Sequence, residues 1–361
     1  MTSVTEEAVQ TPVLAGNGSA EFNRWLWNQL TELGKNAANL VGEDLIAVVL
    51  GGGYGRGQGC VAIRDGKEFA YNDVDLFLVT ARSHPRRTEN LHVLREECEQ
   101  ILRIDVDFSR PQTPRMIREW PPLLMWHDLA LGHQVLYGPA DVISSNVPSQ
   151  VFGPPPKIEA SRLLLNRGAG LVWAGRVMDG FEAEPDPTFV ARNFFKCAQA
   201  VADAVLIAYG RYSTAEVVKT ARLFELQKSE EIVAHIDACG QFEKALEFRR
   251  SPCVSHLVSR HHVEKLAHDW LQIFLWVESL RTCKRFDDVR QYLEWRGERE
   301  AGETRLLQRL GASLRRKRVG LRHPREHVYR ALPVALDDLC AGRNRFKESS
   351  AEALRRWREA Q

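Results

Sequence analysis

Residues 51–57 read Gly-Gly-Gly-Tyr-Gly-Arg-Gly, five glycines in seven positions, directly after the apolar run Leu45-Ile-Ala-Val-Val-Leu50. A stretch this poor in side chains cannot bury apolar surface. It also makes a poor helix interior, where each glycine costs about 1 kcal/mol relative to alanine. What remains is a bend leaving a buried strand, with backbone free to take conformations barred to other residues. A second apolar run, Asp73-Val-Asp-Leu-Phe-Leu-Val-Thr80, follows a stretch containing Asp65-Gly66. That pair tolerates positive φ, so a hairpin is predicted between the bend and the second strand.

Helices and strands alternate outward from this centre. Ser19 precedes a segment, 20–41, whose apolar residues recur every three or four positions, and a helix capped by Ser19 is predicted there. A further helix is predicted over 86–102 and a strand over Arg103-Ile-Asp-Val-Asp-Phe-Ser109, where apolar and acidic side chains alternate strictly. Residues 116–139 read as partly helical and broken at Pro121-Pro122. The three prolines of Phe152-Gly-Pro-Pro-Pro-Lys157 cannot continue a helix and mark a domain boundary. Beyond them, helical periodicity dominates and the strand signal nearly vanishes. The expected fold is α+β: a flexible leader over 1–18, a small mixed sheet with flanking helices over 19–150, and an all-α domain over 151–361.

A chain of 361 residues can build two separate cores. Its net charge of +2 is unevenly spread: 1–150 hold 13 basic and 19 acidic side chains, whereas 301–361 hold 15 and 7. That asymmetry suits a cation site in front and an anion-binding surface behind. The seven cysteines, at 60, 98, 197, 239, 253, 283 and 340, are scattered and never spaced Cys-x-x-Cys. The pattern argues against a zinc cage and for a reducing compartment. Acids stand where a signal peptide needs a basic start, and no apolar run approaches the roughly 20 residues of a membrane span. The expectation is a cytoplasmic protein with no membrane partner.

The glycines do not match either common phosphate loop. No register of 51–59 supplies Gly-x-Gly-x-x-Gly, and neither the lysine nor the hydroxyl of a P-loop follows. The acids are more informative. Asp73 and Asp75 are two apart on a strand, so both project from one face while Val74 points to the other. Two carboxylates this close repel unless a cation lies between them, and hard oxygen donors suit Mg²⁺ or Mn²⁺. The 103–109 strand repeats the arrangement, with Ile104, Val106 and Phe108 toward the core and Asp105 and Asp107 on the other side. If the two strands are neighbours, a third carboxylate joins the first two in the geometry of two-metal catalysis.

Gly-Gly-Tyr-Gly-Arg-Gly, then Asp-Val-Asp-Leu-Phe-Leu-Val, then a strand acid some thirty residues on, resembles the DNA-polymerase-β-type nucleotidyltransferase superfamily. Within it, the glycine run is most similar to the PII-protein uridylyltransferases. The resemblance covers roughly residues 40–110. It implies a nucleotidyltransferase-type sheet domain, and an activity that moves a nucleoside monophosphate from an NTP to a hydroxyl or phosphate acceptor on a small molecule or protein. It implies that Gly52 and Gly53 hold the triphosphate, that Asp73 and Asp75 ligate the metals, and that Asp105 is the third acid, with Asp107 the alternative. The gap of 19 residues between Gly53 and Asp73 is longer than the family's, and the expected hairpin accounts for the surplus. The chain has no room for the full set of additional domains that the PII-modifying enzymes carry.

Arg56, inside the bend, could pair with phosphate oxygens. The resemblance also suggests that Lys196, on a helix of the second domain, reaches the triphosphate; a lysine snorkelling at a domain edge is the rival reading. Arg192, one turn earlier, carries the same ambiguity. His268-Asp269 reads as a dipeptide packed in an amphipathic helix. The basic run 313–325 could grip RNA, but no aromatic residues interleave for base stacking. Arg250 and His256 satisfy a short Arg-x4–6-His pattern, although Pro252 interrupts the helix that would carry it. Two alternatives stand beside the main reading: an RNA-modifying or toxin-like nucleotidyltransferase, and a nucleotide-binding regulator whose chemistry has lapsed.

Overall fold

The computed structural model describes residues 11–85, 88–252, 258–300, 323 and 325–360. His256 and all but two residues of the 313–325 run lie outside them, as do residues 1–10. The chain divides into two compact units, one running to Gly153 and including Arg249–Ser251, the other holding Pro154–Phe248 and the chain from Pro252 onward. The division falls inside the proline-rich stretch, where the backbone cannot extend either neighbouring element.

The first unit is built on a four-stranded mixed sheet. Strands β1 (Leu45–Leu50), β4 (Asp73–Thr80), β5 (Asp105–Phe108) and β6 (Gln134–Tyr137) lie in the order β5-β4-β1-β6. β1 is antiparallel to both neighbours, whereas β4 and β5 are parallel. A parallel pair needs a crossover, and α3 (Leu91–Leu102) supplies it. Strands β2 (Cys60–Arg64) and β3 (Lys67–Tyr71) form a separate hairpin. Its two turn residues, Asp65 (φ 50°) and Gly66 (φ 72°), are both left-handed, as the tightest hairpin turns require.

Two apolar layers sandwich the sheet. Val48, Leu50, Val74, Leu76, Leu78 and Val106 pack with α3 and with α1 (Ala20–Val41). Helix α1 begins where the Ser19 hydroxyl accepts the Phe22 N–H at 3.0 Å. On the other face Ala47, Val49 and Val79 pack with Ile117 of α4 (Pro114–Arg118), Trp120, and Leu129 of α5 (Leu124–Leu131). Phe77 packs against this second layer. Asp75 and Asp73 continue that same side of β4, alternating with Val74 and Leu76 of the opposite face.

Two sequence expectations need correction. The leader expected over 1–18 is anchored in its described part: Leu14 and Ala15 are fully buried, and both backbone amides donate to Asn23 Oδ1 at 2.8 Å. The 116–139 stretch ends in a strand, β6, which pairs with Val48–Leu50. Four residues are too few for periodicity to separate a strand from a helix end.

The second unit is helical. It comprises α6 (Lys157–Met178), α7 (Phe189–Ala208), α8 (Glu216–Ser229), α9 (Glu231–His235), most of α10 (Ala238–Arg250), α11 (Arg260–Thr282), α12 (Val289–Glu294), α13 (Glu326–Cys340) and α14 (Phe346–Ala360). Its core contains a buried polar cluster. The fully buried Glu278 carboxylate accepts from Ser161 Oγ at 2.6 Å, Arg281 Nη2 at 2.8 Å and the Tyr292 hydroxyl at 2.8 Å. Among the described residues, no helix is long and apolar enough to cross a membrane.

Candidate active site

Four carboxyl groups share one face of the sheet. Asp73 is paired directly with Asp105 across β4 and β5, and Asp75 with Asp107. Val74 and Val106 stand between them and are completely buried, so the period of two sends all four acids to the opposite side. Neighbouring strands run about 4.8 Å apart, which makes each cross-strand pair of carboxyls close neighbours. Asp73 and Asp75 are half-buried; Asp105 and Asp107 are exposed.

The glycine bend lies against these acids, and contrary to the sequence expectation its Gly52–Gly55 segment closes into a single helical turn, α2. It leaves the end of β1, where Gly51 N–H donates to the Asp75 carbonyl at 2.9 Å. Gly52 has φ 59°, and a Cβ there would sit 2.0 Å from Asp75 Oδ2, so only glycine lets the bend touch the carboxylate. Gly53 is less restricted, since an added Cβ would meet nothing closer than 3.6 Å. Tyr54 locks the bend to the hairpin. Its buried hydroxyl accepts the Tyr71 N–H at 2.9 Å and donates to the Cys60 carbonyl at 2.8 Å. Gly52→Ala is expected to push Asp75 aside and strain the backbone, costing about 1–3 kcal/mol in thermal or denaturant unfolding. Stability unchanged to within 0.5 kcal/mol, a roughly surface-like effect, would contradict the close approach.

The acids perturb one another. The Asp107 carboxyl is pushed above its ordinary range, first by partial removal from water, then by the negative charges of Asp73 and Asp105; Arg95 opposes the shift. A carboxyl raised on folding favours the protonated native state, so its contribution is fully present below the ordinary carboxylate pKa. It is lost as pH rises through the raised value. Asp107→Asn should therefore unfold at a higher temperature than the parent at pH 7, with the advantage disappearing near pH ~3.5, below the ordinary carboxylate pKa. Melting curves of both proteins across that range provide the test. An equal or lower melting temperature for the variant at pH 7 removes the repulsion argument.

Asn72 was not singled out from the sequence. It holds φ 83°, a left-handed conformation that asparagine tolerates better than most residues, and its side-chain amide donates to the Asp73 carboxylate. The signal was present in Tyr71-Asn-Asp73, but asparagine before a strand usually means only a turn. Arg56 stays with the bend, where its Nε donates to Gln58 Oε1 at 3.2 Å and its Nη1 lies 3.8 Å from Asp128 Oδ2. Lys196 belongs to the second unit, partly buried on α7. Arg192 is held by Asp186 at 2.8 Å, and the Asp186 carboxyl is lowered because hydrogen bonds from Thr188 and Arg192 outweigh its burial. Asp269 is buried, bound by Lys265 at 2.7 Å and Gln241 at 2.6 Å, whereas His268 is exposed and lies 3.1 Å from Gln272 Nε2.

The donor set suits a hard divalent cation: carboxylate oxygens, with neither sulfur nor imidazole among them. As the side chains stand, however, no group of three His, Cys, Asp or Glu residues among the described residues converges tightly enough to enclose an ion. Uncompensated carboxylates repel, and such a site draws together only when positive charge enters it. Fold and site together define a mixed α+β protein with an acid-lined sheet face beside a glycine bend, joined to a helical unit. No protein-family model, curated protein or solved structure matches the chain.

Proposed function

We propose that the acid-lined face belongs to a nucleotidyltransferase-type domain and transfers a nucleoside monophosphate from an NTP to a hydroxyl or phosphate acceptor. The observation that carries the reading is the in-register pairing of Asp73 with Asp105 and Asp75 with Asp107, with Gly52 against Asp75. Scattered surface acids have no reason to occupy matched positions on adjacent strands, and their mutual repulsion is tolerated most readily where a positively charged ligand offsets it. Mg²⁺ or Mn²⁺, held by Asp73 and Asp75 with Asp105 or Asp107, would supply the charge that neutralises the triphosphate.

The protein's own groups would do the rest. The side-chain-free bend at Gly52–Gly53 lets phosphate oxygens approach the backbone, and Asn72 steadies the Asp73 carboxylate. Asp105 or Asp107 would take the proton from the acceptor hydroxyl. The freed oxygen forms a bond to the α-phosphorus as the bond to pyrophosphate breaks. The raised proton affinity of Asp107 suits it to that transfer.

Mg²⁺-dependent pyrophosphate release from mixtures of each NTP with candidate hydroxyl acceptors tests the proposal. The open spacing of the acids favours a second reading, in which the face binds nucleotide without turnover. NTP-induced thermal stabilisation in Mg²⁺ with no pyrophosphate released from any mixture would select that reading.

A further inference from the structure

The second unit contains a cavity of about 880 Å³, a size that accommodates one small organic ligand. One wall is α13, where Arg330, Val334 and Asp337 recur at helical spacing and so share a face. The other is α12 with the residues that follow it, including Leu293, Trp295 and Arg296. Leu293, Val334 and the partly exposed Trp295 indole make an apolar floor between charged rims.

The charges around this floor do not cancel. Glu294 is occupied by Arg290 at 2.9 Å, Asp337 is occupied by Arg343, and Arg345 is satisfied by Asp338 at 2.6 Å. Arg296 and Arg330 are exposed, and neither forms an ion pair among the described residues. Arg299 stands over the Trp295 ring at 5.3 Å, and the part of the indole left exposed offers a surface for a flat ring. Beside it, the two guanidiniums without an ion pair among the described residues offer a fork for phosphate oxygens.

We propose that this cavity binds a nucleoside phosphate, with its phosphates on Arg296 and Arg330 and its base against Trp295. A pocket of this volume with one aromatic ring in its lining fits one nucleotide, whereas single-stranded RNA needs a track of successive stacking rings. The inference uses no residue of the acid-lined face and does not depend on the function proposed for it.

Equilibrium dialysis of ADP against the full chain carrying Asp73→Asn and Asp75→Asn, in EDTA, isolates this cavity from metal-dependent binding. Saturable one-site binding is expected. Arg296→Ala and Arg330→Ala should each weaken it about tenfold, as loss of a charge-assisted contact does, and adenosine should bind far more weakly than ADP. Both side chains are exposed, so unchanged thermal unfolding of the variants will establish that they fold. Absence of saturable ADP binding, or ADP binding unaffected when Arg296→Ala and Arg330→Ala are combined, overturns the proposal. So does a short single-stranded RNA that displaces ADP, binds more tightly and loses affinity steeply with salt, because the surface would then be an RNA groove.

Discussion

Asp73→Asn and Asp75→Asn proteins should release pyrophosphate at least about a thousandfold more slowly than the parent, equivalent to about 4 kcal/mol of transition-state stabilisation. Their thermal unfolding should be unchanged or slightly later. The two outcomes are linked by the same electrostatics. Each aspartate stands in a group of four carboxyls on one face, and removing a negative charge relieves repulsion in the folded state. A residue kept for packing would behave in the opposite way, with stability falling and any activity following it. Either variant retaining turnover within tenfold of the parent, about 1.4 kcal/mol, would falsify the assignment of these acids to catalysis. The variants' response to Mg²⁺ adds a readout independent of chemistry. Mg²⁺ should raise the melting temperature of the parent and do so much less for Asp73→Asn, because binding stabilises only the state that holds the ion.

The second large effect lies in the helical unit. Glu278→Leu should destabilise the protein by about 3–5 kcal/mol, because the substitution removes the shared partner of a partly buried arginine and of a buried serine and tyrosine. Arg281 donates to Glu278 from two nitrogens, at 3.0 and 2.8 Å, while Ser161 and Tyr292 each supply one hydroxyl. With the carboxylate gone, a guanidinium and two hydroxyls remain desolvated with nothing to accept their protons. For a unit of this size the loss corresponds to roughly 6–20 °C in melting temperature. Glu278→Gln keeps the shape and half the acceptor capacity, so it should fall between parent and leucine variant. Denaturant unfolding monitored by tryptophan fluorescence distinguishes the three, and a leucine variant within 1 kcal/mol of the parent, an ordinary point-mutation effect, would show that the cluster is not a stabilising unit.

Much of the site was legible in the chain because its grammar is local. Alternation alone places Asp73 and Asp75 on one face and Val74 on the other. Asp65-Gly66 announces its own turn, and Ser19 its own helix start. Other features left weak signals. Strand β6 is four residues long and exists because β1 offers it an edge, which no window of sequence can register. Leu14 and Ala15 look like the end of a loose leader until Asn23 is seen receiving both amides. The dense glycines suggest a ligand loop, yet Gly52 is glycine because an aspartate carboxylate occupies the space of its missing Cβ. That contact joins residues 23 positions apart.

The sequence by itself determined which side chains each strand turns outward, since the backbone repeats every two residues whatever surrounds it. It also determined, through three successive prolines and one Asp-Gly pair, where the chain breaks between its two units and where the hairpin turns. Only the tertiary structure decided that Asp73 stands opposite Asp105 and Asp75 opposite Asp107. That register belongs to a parallel pairing between strands separated by a whole crossover helix, and a slip of one residue would have carried the second pair of acids to the buried face.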